Sequence, residues 1–113
     1  MTATDPIKVS RTATARSLSL GGLTIRPFEG DNLMVVRIEA PQGSVAPAHS
    51  HPHEQMSLVV SGRVCFSLLG EQRTLGPGDV VHLPGGVEHE ARFLEETLMY
   101  DIFTPVREDF RVR

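Results

Sequence analysis

Three histidines at alternate positions, His49, His51 and His53, are followed two residues later by Gln55, in the run Gly43-Ser-Val-Ala-Pro-Ala-His49-Ser-His51-Pro-His53-Glu-Gln55. Imidazole nitrogens with an added oxygen donor suit a borderline divalent metal. Side chains alternate between the two faces of a strand, so an extended backbone would turn all four donors to one side. Glu54 then points away, unless a bulge after Pro52, which cannot donate to a ladder, exchanges these roles. A second segment, Gly78-Asp-Val-Val-His-Leu-Pro84-Gly-Gly86-Val-Glu-His89, ends a strand and a tight turn on a further candidate ligand, His89. His82, within Val80-Val81-His82-Leu83, reads as an ordinary strand position.

Towards the C-terminus, Glu96-Thr-Leu-Met-Tyr-Asp101-Ile-Phe103-Thr-Pro-Val-Arg107 sets Met99, Asp101 and Phe103 on one strand face and Leu98, Tyr100 and Ile102 on the other. An acid between two apolar residues on an inward face would have its pKa raised by burial and be fitted for proton transfer, with nearby metal charge opposing that shift. The alternative is an aspartate at a wet strand edge. Arg107 is either a solvated charge or a fork for a carboxylate. Cys65, the single cysteine, allows no intrachain disulfide and reads as a buried thiol rather than a nucleophile.

Positioning such residues falls to short strands. Apolar alternation marks 17–20, 23–28, 33–39, 55–60, 63–69, 73–75, 80–83 and 96–103, separated by Gly21-Gly22, Gly30-Asp31-Asn32, Ser61-Gly62, Gly70-Glu71, Gly76-Pro77-Gly78 and Pro84-Gly85-Gly86. Ser61-Gly62 is a hairpin signal. Many short strands at regular spacing predict an all-β barrel or sandwich. Residues 1–16, rich in Thr, Ala and Arg without a period, are expected to form a flexible N-terminal arm ahead of one domain over 17–113. A chain of 113 residues holds one core. A net charge of -3 without a basic cluster argues against nucleic acid as a partner. The apolar runs fall well short of the roughly 18 residues that span a bilayer. A soluble, cytoplasmic protein without membrane partners is expected.

The two His-containing segments resemble the paired motifs of the cupin superfamily, through Gly43, His49, His51, Gln55 and Gly62 in the first and Gly78, Pro84, Gly86 and His89 in the second. The second motif's closing Asn is Phe93 here, a departure that bears on the barrel wall and not on a ligand. The resemblance, covering about 23–103, implies a single-domain cupin, a small double-stranded β-helix of jelly-roll type. It also implies one divalent metal ion (Ni, Zn, Mn or Fe) held by His49, His51, Gln55 and His89, with His53 left to the pocket wall. One or two coordination positions would stay open, as at catalytic metals. Gln in place of the usual Glu leaves that ion more positive and favours an anionic substrate.

Asp101-Ile-Phe103-Thr-Pro-Val-Arg107-Glu-Asp-Phe, taken with His49-Ser-His-Pro-His-Glu-Gln55, is similar to the KdgF family of pectin-degradation cupins. That resemblance implies opening of 4,5-unsaturated uronates, released by pectin and alginate lyases, to linear keto uronates. Asp101 would be the acid/base, Phe103 its neighbouring wall and Arg107 the substrate anchor. Two other classes fit the same fold: a metal-dependent cupin oxygenase and a non-catalytic sugar-binding module. An exposed sheet edge on so small a barrel also invites a homodimer, through residues 1–16 or 17–20.

Overall fold

The chain was analysed as a computed structural model that describes residues 7–111. Ten strands follow in order: β1 (Leu18–Leu20), β2 (Leu23–Glu29), β3 (Met34–Ala40), β4 (Val45–His49), β5 (Glu54–Ser61), β6 (Val64–Leu68), β7 (Glu71–Leu75), β8 (Val80–Leu83), β9 (His89–Phe93) and β10 (Thr97–Thr104). Short 3-10 turns at Thr12–Thr14 and Glu108–Phe110 flank them. All pairings are antiparallel, in a six-stranded sheet ordered β1-β2-β3-β10-β5-β8 and a four-stranded sheet ordered β4-β9-β6-β7. The two sheets enclose one core, as the all-β expectation required.

Period-two alternation does the sorting. In β3, Met34, Val36, Ile38 and Ala40 turn inward while Arg37 and Glu39 stay on the outer face, where Glu39 pairs with Arg26 and Arg37. In β10, Thr97, Met99, Asp101 and Phe103 are buried. Because β10 runs between β3 and β5, Asp101 sits in the middle of the larger sheet, opposite Val36 on one side and Ser57 on the other. It is not at an edge. Leading into β1, residues 7–16 lie against the outer face, with the Thr12 hydroxyl 3.0 Å from that of Tyr100 and Arg26 donating to the Ala15 carbonyl.

Three expectations are corrected. His49 to Gln55 is not one strand: β4 ends on His49, β5 begins at Glu54, and the intervening residues bend from one sheet to the other. Pro47 starts the break, since it lacks the N–H a ladder needs and the β4–β9 register slips there. Ser61-Gly62 is not a hairpin, because β5 and β6 belong to different sheets. Gly62 makes that crossing, with φ +91 and so close a pass that a Cβ would strike the Glu96 carbonyl and Thr97. Cys65 is only half-buried, on the outer face of the smaller sheet opposite Thr74 and Arg92.

Candidate metal centre

Three segments deliver the imidazoles. His49 ends β4, His51 lies in the bend, and His89 opens β9 directly opposite His49 in the ladder. Ring centroids are 4.6 Å apart for His49 and His89, 5.1 Å for His51 and His89, and 5.5 Å for His49 and His51. One ring nitrogen from each lies within 4.8 Å of the others. The bend is held from outside: the Gly86 amide donates to the His51 carbonyl at 2.8 Å, and Gly85 packs flat on the Pro52 carbonyl. A methyl group at Gly85 would strike that carbonyl oxygen. Gly85→Ala is therefore expected to cost about 1–3 kcal/mol of stability and to weaken metal binding about tenfold or more by displacing His51, readable by thermal unfolding and by metal titration.

Hydrogen bonds fix the tautomers. Nδ1 of His49 faces the Pro47 carbonyl at 2.9 Å, that of His51 the His53 carbonyl at 3.0 Å, and that of His89 the Val87 carbonyl at 3.1 Å. A carbonyl only accepts, so each Nδ1 carries the hydrogen, and Nε2 is the nitrogen that a neutral ring offers to a ligand. Burial lowers the His89 pKa to about 4, against the opposing bond to Val87. His51 is also lowered, first by burial and then by the charge of Arg107. Both rings are neutral at pH 7 and ready to ligate.

Gln55 stands beside the His51 ring. Its side-chain nitrogen donates to the Ser57 hydroxyl at 2.9 Å, and that hydroxyl donates to Asp101 Oδ1 at 2.6 Å. An ionised Asp101 can only accept, so Ser57 gives it its single proton and takes the amide hydrogen, which turns Gln55 Oε1 towards His51. Oε1 and His51 Nε2 then stand 3.0 Å apart with a lone pair on each. Two acceptors at that distance are reconciled by a cation between them, and three imidazole nitrogens with one amide oxygen fit a borderline divalent metal. Ser57, fully buried at 0% exposure, was missed by the sequence reading; its parity with Gln55 and its place beside a buried acid were the available signals.

Asp101 lies behind this corner, 8% exposed. Burial raises its pKa to about 6, with the Ser57 bond, the Arg107 charge and Gln55 pulling the other way. Phe103, fully enclosed, presents its ring edge-on to His51 at 5.6 Å. Arg107 stacks 3.9 Å over Phe110 and 5.1 Å from Phe103, and grips Asp109 through two hydrogen bonds of 3.2 and 2.7 Å. Burial alone would raise Asp109, but that grip holds its pKa below the ordinary value. Asp109 is the second residue the sequence reading passed over. His49, Gln55, His89, Asp101, Phe103, Arg107 and Asp109 line one cavity of about 630 Å³. His53 stands beside it, 5.4 Å from the His51 ring and 6.4 Å from Phe103. His82 and Glu54 pair at 2.7 Å on the exposed outer face, away from the centre.

Residues 36–103 match the cupin domain family. The chain belongs to the cupin family. Among solved structures, this cupin is similar to KdgF from Halomonas sp., at 32% identity and TM-score 0.80 over 86% of this chain and 92% of that one. It also matches an RmlC-like cupin from Shewanella frigidimarina, at 30% identity and TM-score 0.83 over 88% and 92%. The KdgF resemblance read from the sequence is thus supported at the level of the whole barrel. Among curated proteins it is 35% identical over 74 residues to dimethylsulfoniopropionate lyase DddQ of Ruegeria pomeroyi, 65% of this chain but only 37% of that protein's length. No helix among the described residues is long and apolar enough to cross a membrane.

Proposed function

We propose that this cupin is a metal-dependent enzyme that opens 4,5-unsaturated uronates to their linear keto form. The observation that carries the reading is the buried Asp101, tied through Ser57 to Gln55 and sharing a cavity with Arg107. In the substrate, a carboxylate is conjugated to a ring enol ether. Ring opening breaks the bond between the anomeric carbon and the ring oxygen, releases the anomeric hydroxyl proton as the aldehyde forms, and leaves an enolate on the former ring oxygen that becomes the ketone when carbon 4 gains a proton. One proton leaves and one arrives. Asp101, whose pKa burial raises to about 6 in the metal-free protein and which metal charge would draw back down, serves both transfers as the one acid among the described residues that the core holds beside the site. Arg107 binds the substrate carboxylate by its fork, displacing Asp109. Phe103 walls the ring and keeps water out. His49, His51, Gln55 and His89 would hold a divalent metal, which supplies Lewis-acid stabilisation of the developing negative oxygen.

Loss of the conjugated double bond's ultraviolet absorbance, on mixing metal-loaded protein with unsaturated galacturonate or an alginate-derived uronate, tests the activity against spontaneous opening. No acceleration on either substrate removes this reading. Arg107→Ala is expected to raise KM about tenfold or more, the loss of a charge-assisted bond, with a smaller change in kcat.

The match to a dimethylsulfoniopropionate lyase favours a second reading, in which the same parts act on a different carboxylate. A lyase of a propionate also needs a base beside a cation. Incubation with dimethylsulfoniopropionate in parallel separates the two. The protomer is further proposed to pair as a homodimer through β1, a three-residue strand at the free edge of the six-stranded sheet. Light scattering at micromolar concentration is expected to give twice the chain mass; a monomer mass rejects pairing.

A further inference from the structure

The cavity extends well past its polar corner. Its volume of about 630 Å³ has room for on the order of twenty water-sized groups at about 30 Å³ each, and a monosaccharide acid fills about half of that. Beyond the imidazoles, Asp101 and Arg107 the wall turns apolar: Leu23, Ile25, Ile38, Phe66, Phe93 and Met99 line it. None of these offers a hydrogen bond to a sugar hydroxyl. The room comes from the sequence. Ala46 on β4 and Ala91 on β9 stand where longer aliphatic side chains would narrow the gap, and Leu18 and Leu20 of β1 form the opposite lip. Leu20 is 50% exposed and Val45 39%, so the mouth presents apolar surface to water.

We propose that this apolar half is a binding site in its own right, for the hydrocarbon tail or ring of a carboxylate whose charged end lies against Arg107 and the metal. Only the placing of the anion rests on the uronate reading; the apolar half does not. Charge fixes the orientation. Arg107 is the one guanidinium or ammonium group among the lining residues, and its partner Asp109 gives way to an arriving carboxylate. Asp101, the other acid facing the cavity, lies deeper, bonded to Ser57. A sugar ring leaves the apolar walls unused, whereas each methylene moved onto them strengthens binding about two- to fourfold.

Isothermal calorimetry of the metal-loaded protein with straight-chain carboxylates from acetate to decanoate tests the proposal. Affinity is expected to rise about a hundredfold from acetate to octanoate. Ala46→Phe, which fills the space from the partly buried position 46 of an otherwise exposed β4, is expected to cut that gain below tenfold while metal content and acetate affinity stay as in the wild type. Affinity independent of chain length overturns the proposal, and so does an undiminished gain in a folded Ala46→Phe protein. Should Ala46→Phe fail to fold, Leu20→Ser at the exposed lip is expected to lose octanoate affinity several-fold and acetate affinity not at all; equal losses overturn it. A second copy seated in the mouth would remove the chain-length gain, and that also overturns it, whereas pairing through the backbone edge of β1 leaves the gain intact. Absence of uronate turnover with the chain-length gain intact rejects the uronate reading and leaves this site standing.

Discussion

Asp101→Asn is expected to lower turnover of unsaturated uronate by about a hundredfold to ten-thousandfold, the usual contribution of a positioned acid or base, while metal content stays at that of the wild type. Asparagine keeps an oxygen for the Ser57 hydroxyl, so the chain of bonds from Gln55 to residue 101 survives. What is lost is the ability to carry a proton. The same substitution reads out the buried charge in the metal-free protein. Folding raises this carboxyl from 3.8 to about 6, so the folded state binds the proton more tightly than the unfolded chain. The stability that goes with the proton is fully present below pH 3.8 and is lost as pH rises through 6. At pH 8 the ionised, buried carboxylate then costs about 3 kcal/mol. Metal-free Asp101→Asn is expected to be more stable than metal-free wild type at pH 8 by an amount of that order, and the difference should shrink towards pH 4. Urea unfolding of both proteins across that range measures it. A constant difference would mean that Asp101 does not titrate between these limits, and undiminished turnover would move the proton-transfer role to another residue, with His53, 6.4 Å from the Phe103 ring, the next candidate.

Much of this was legible because parity in a strand is a rigid constraint. Met99, Asp101 and Phe103 had to share a face once 96–103 was a strand, and Val-Val-Arg-Ile in β3 could alternate in only one way. Both motif segments could be read as contributing to one site through their resemblance to the paired cupin motifs, with glycine and proline marking the turns within each. Strand pairing was not legible. Ser61-Gly62 carries the same local signal whether the chain turns back on itself or crosses to the other sheet, and the deciding contact, the close approach to Glu96 and Thr97, is remote in sequence. The bend from His49 to Glu54 was hidden for the opposite reason: every second residue still suited one inward face, so alternation persisted across a break that Pro47 and Pro52 introduce. Ser57 and Asp109 escaped notice because neither stands at a position of the motifs that were read. Each acts through a neighbour, Ser57 by turning an amide and Asp109 by occupying an arginine.

His51→Ala and His89→Ala are each expected to empty the metal centre, reducing bound metal from one per chain to near zero by elemental analysis. The argument is the shared geometry of the donors. All three Nδ1 hydrogens are committed to backbone carbonyls two residues away, so Nε2 is the nitrogen each ring has left for a ligand, and an incomplete set leaves too few donors to strip a divalent ion of its water. Gln55→Ala removes the weakest donor and is expected to lower occupancy only in part. Ser57→Ala leaves all four donors in place but frees the Gln55 amide to turn, which is expected to weaken binding about tenfold to a hundredfold, the usual effect of losing a group that orients a ligand. Thermal unfolding provides a second readout. Metal at about a thousand times its dissociation constant stabilises a folded protein by about 4 kcal/mol, so added metal should raise the melting temperature of wild type clearly, of Ser57→Ala less, and of His89→Ala hardly at all. Full metal content in folded His51→Ala and His89→Ala proteins would mean that the ion is held elsewhere. A Ser57→Ala protein indistinguishable from wild type would keep the ligands and reject the orienting role of Ser57.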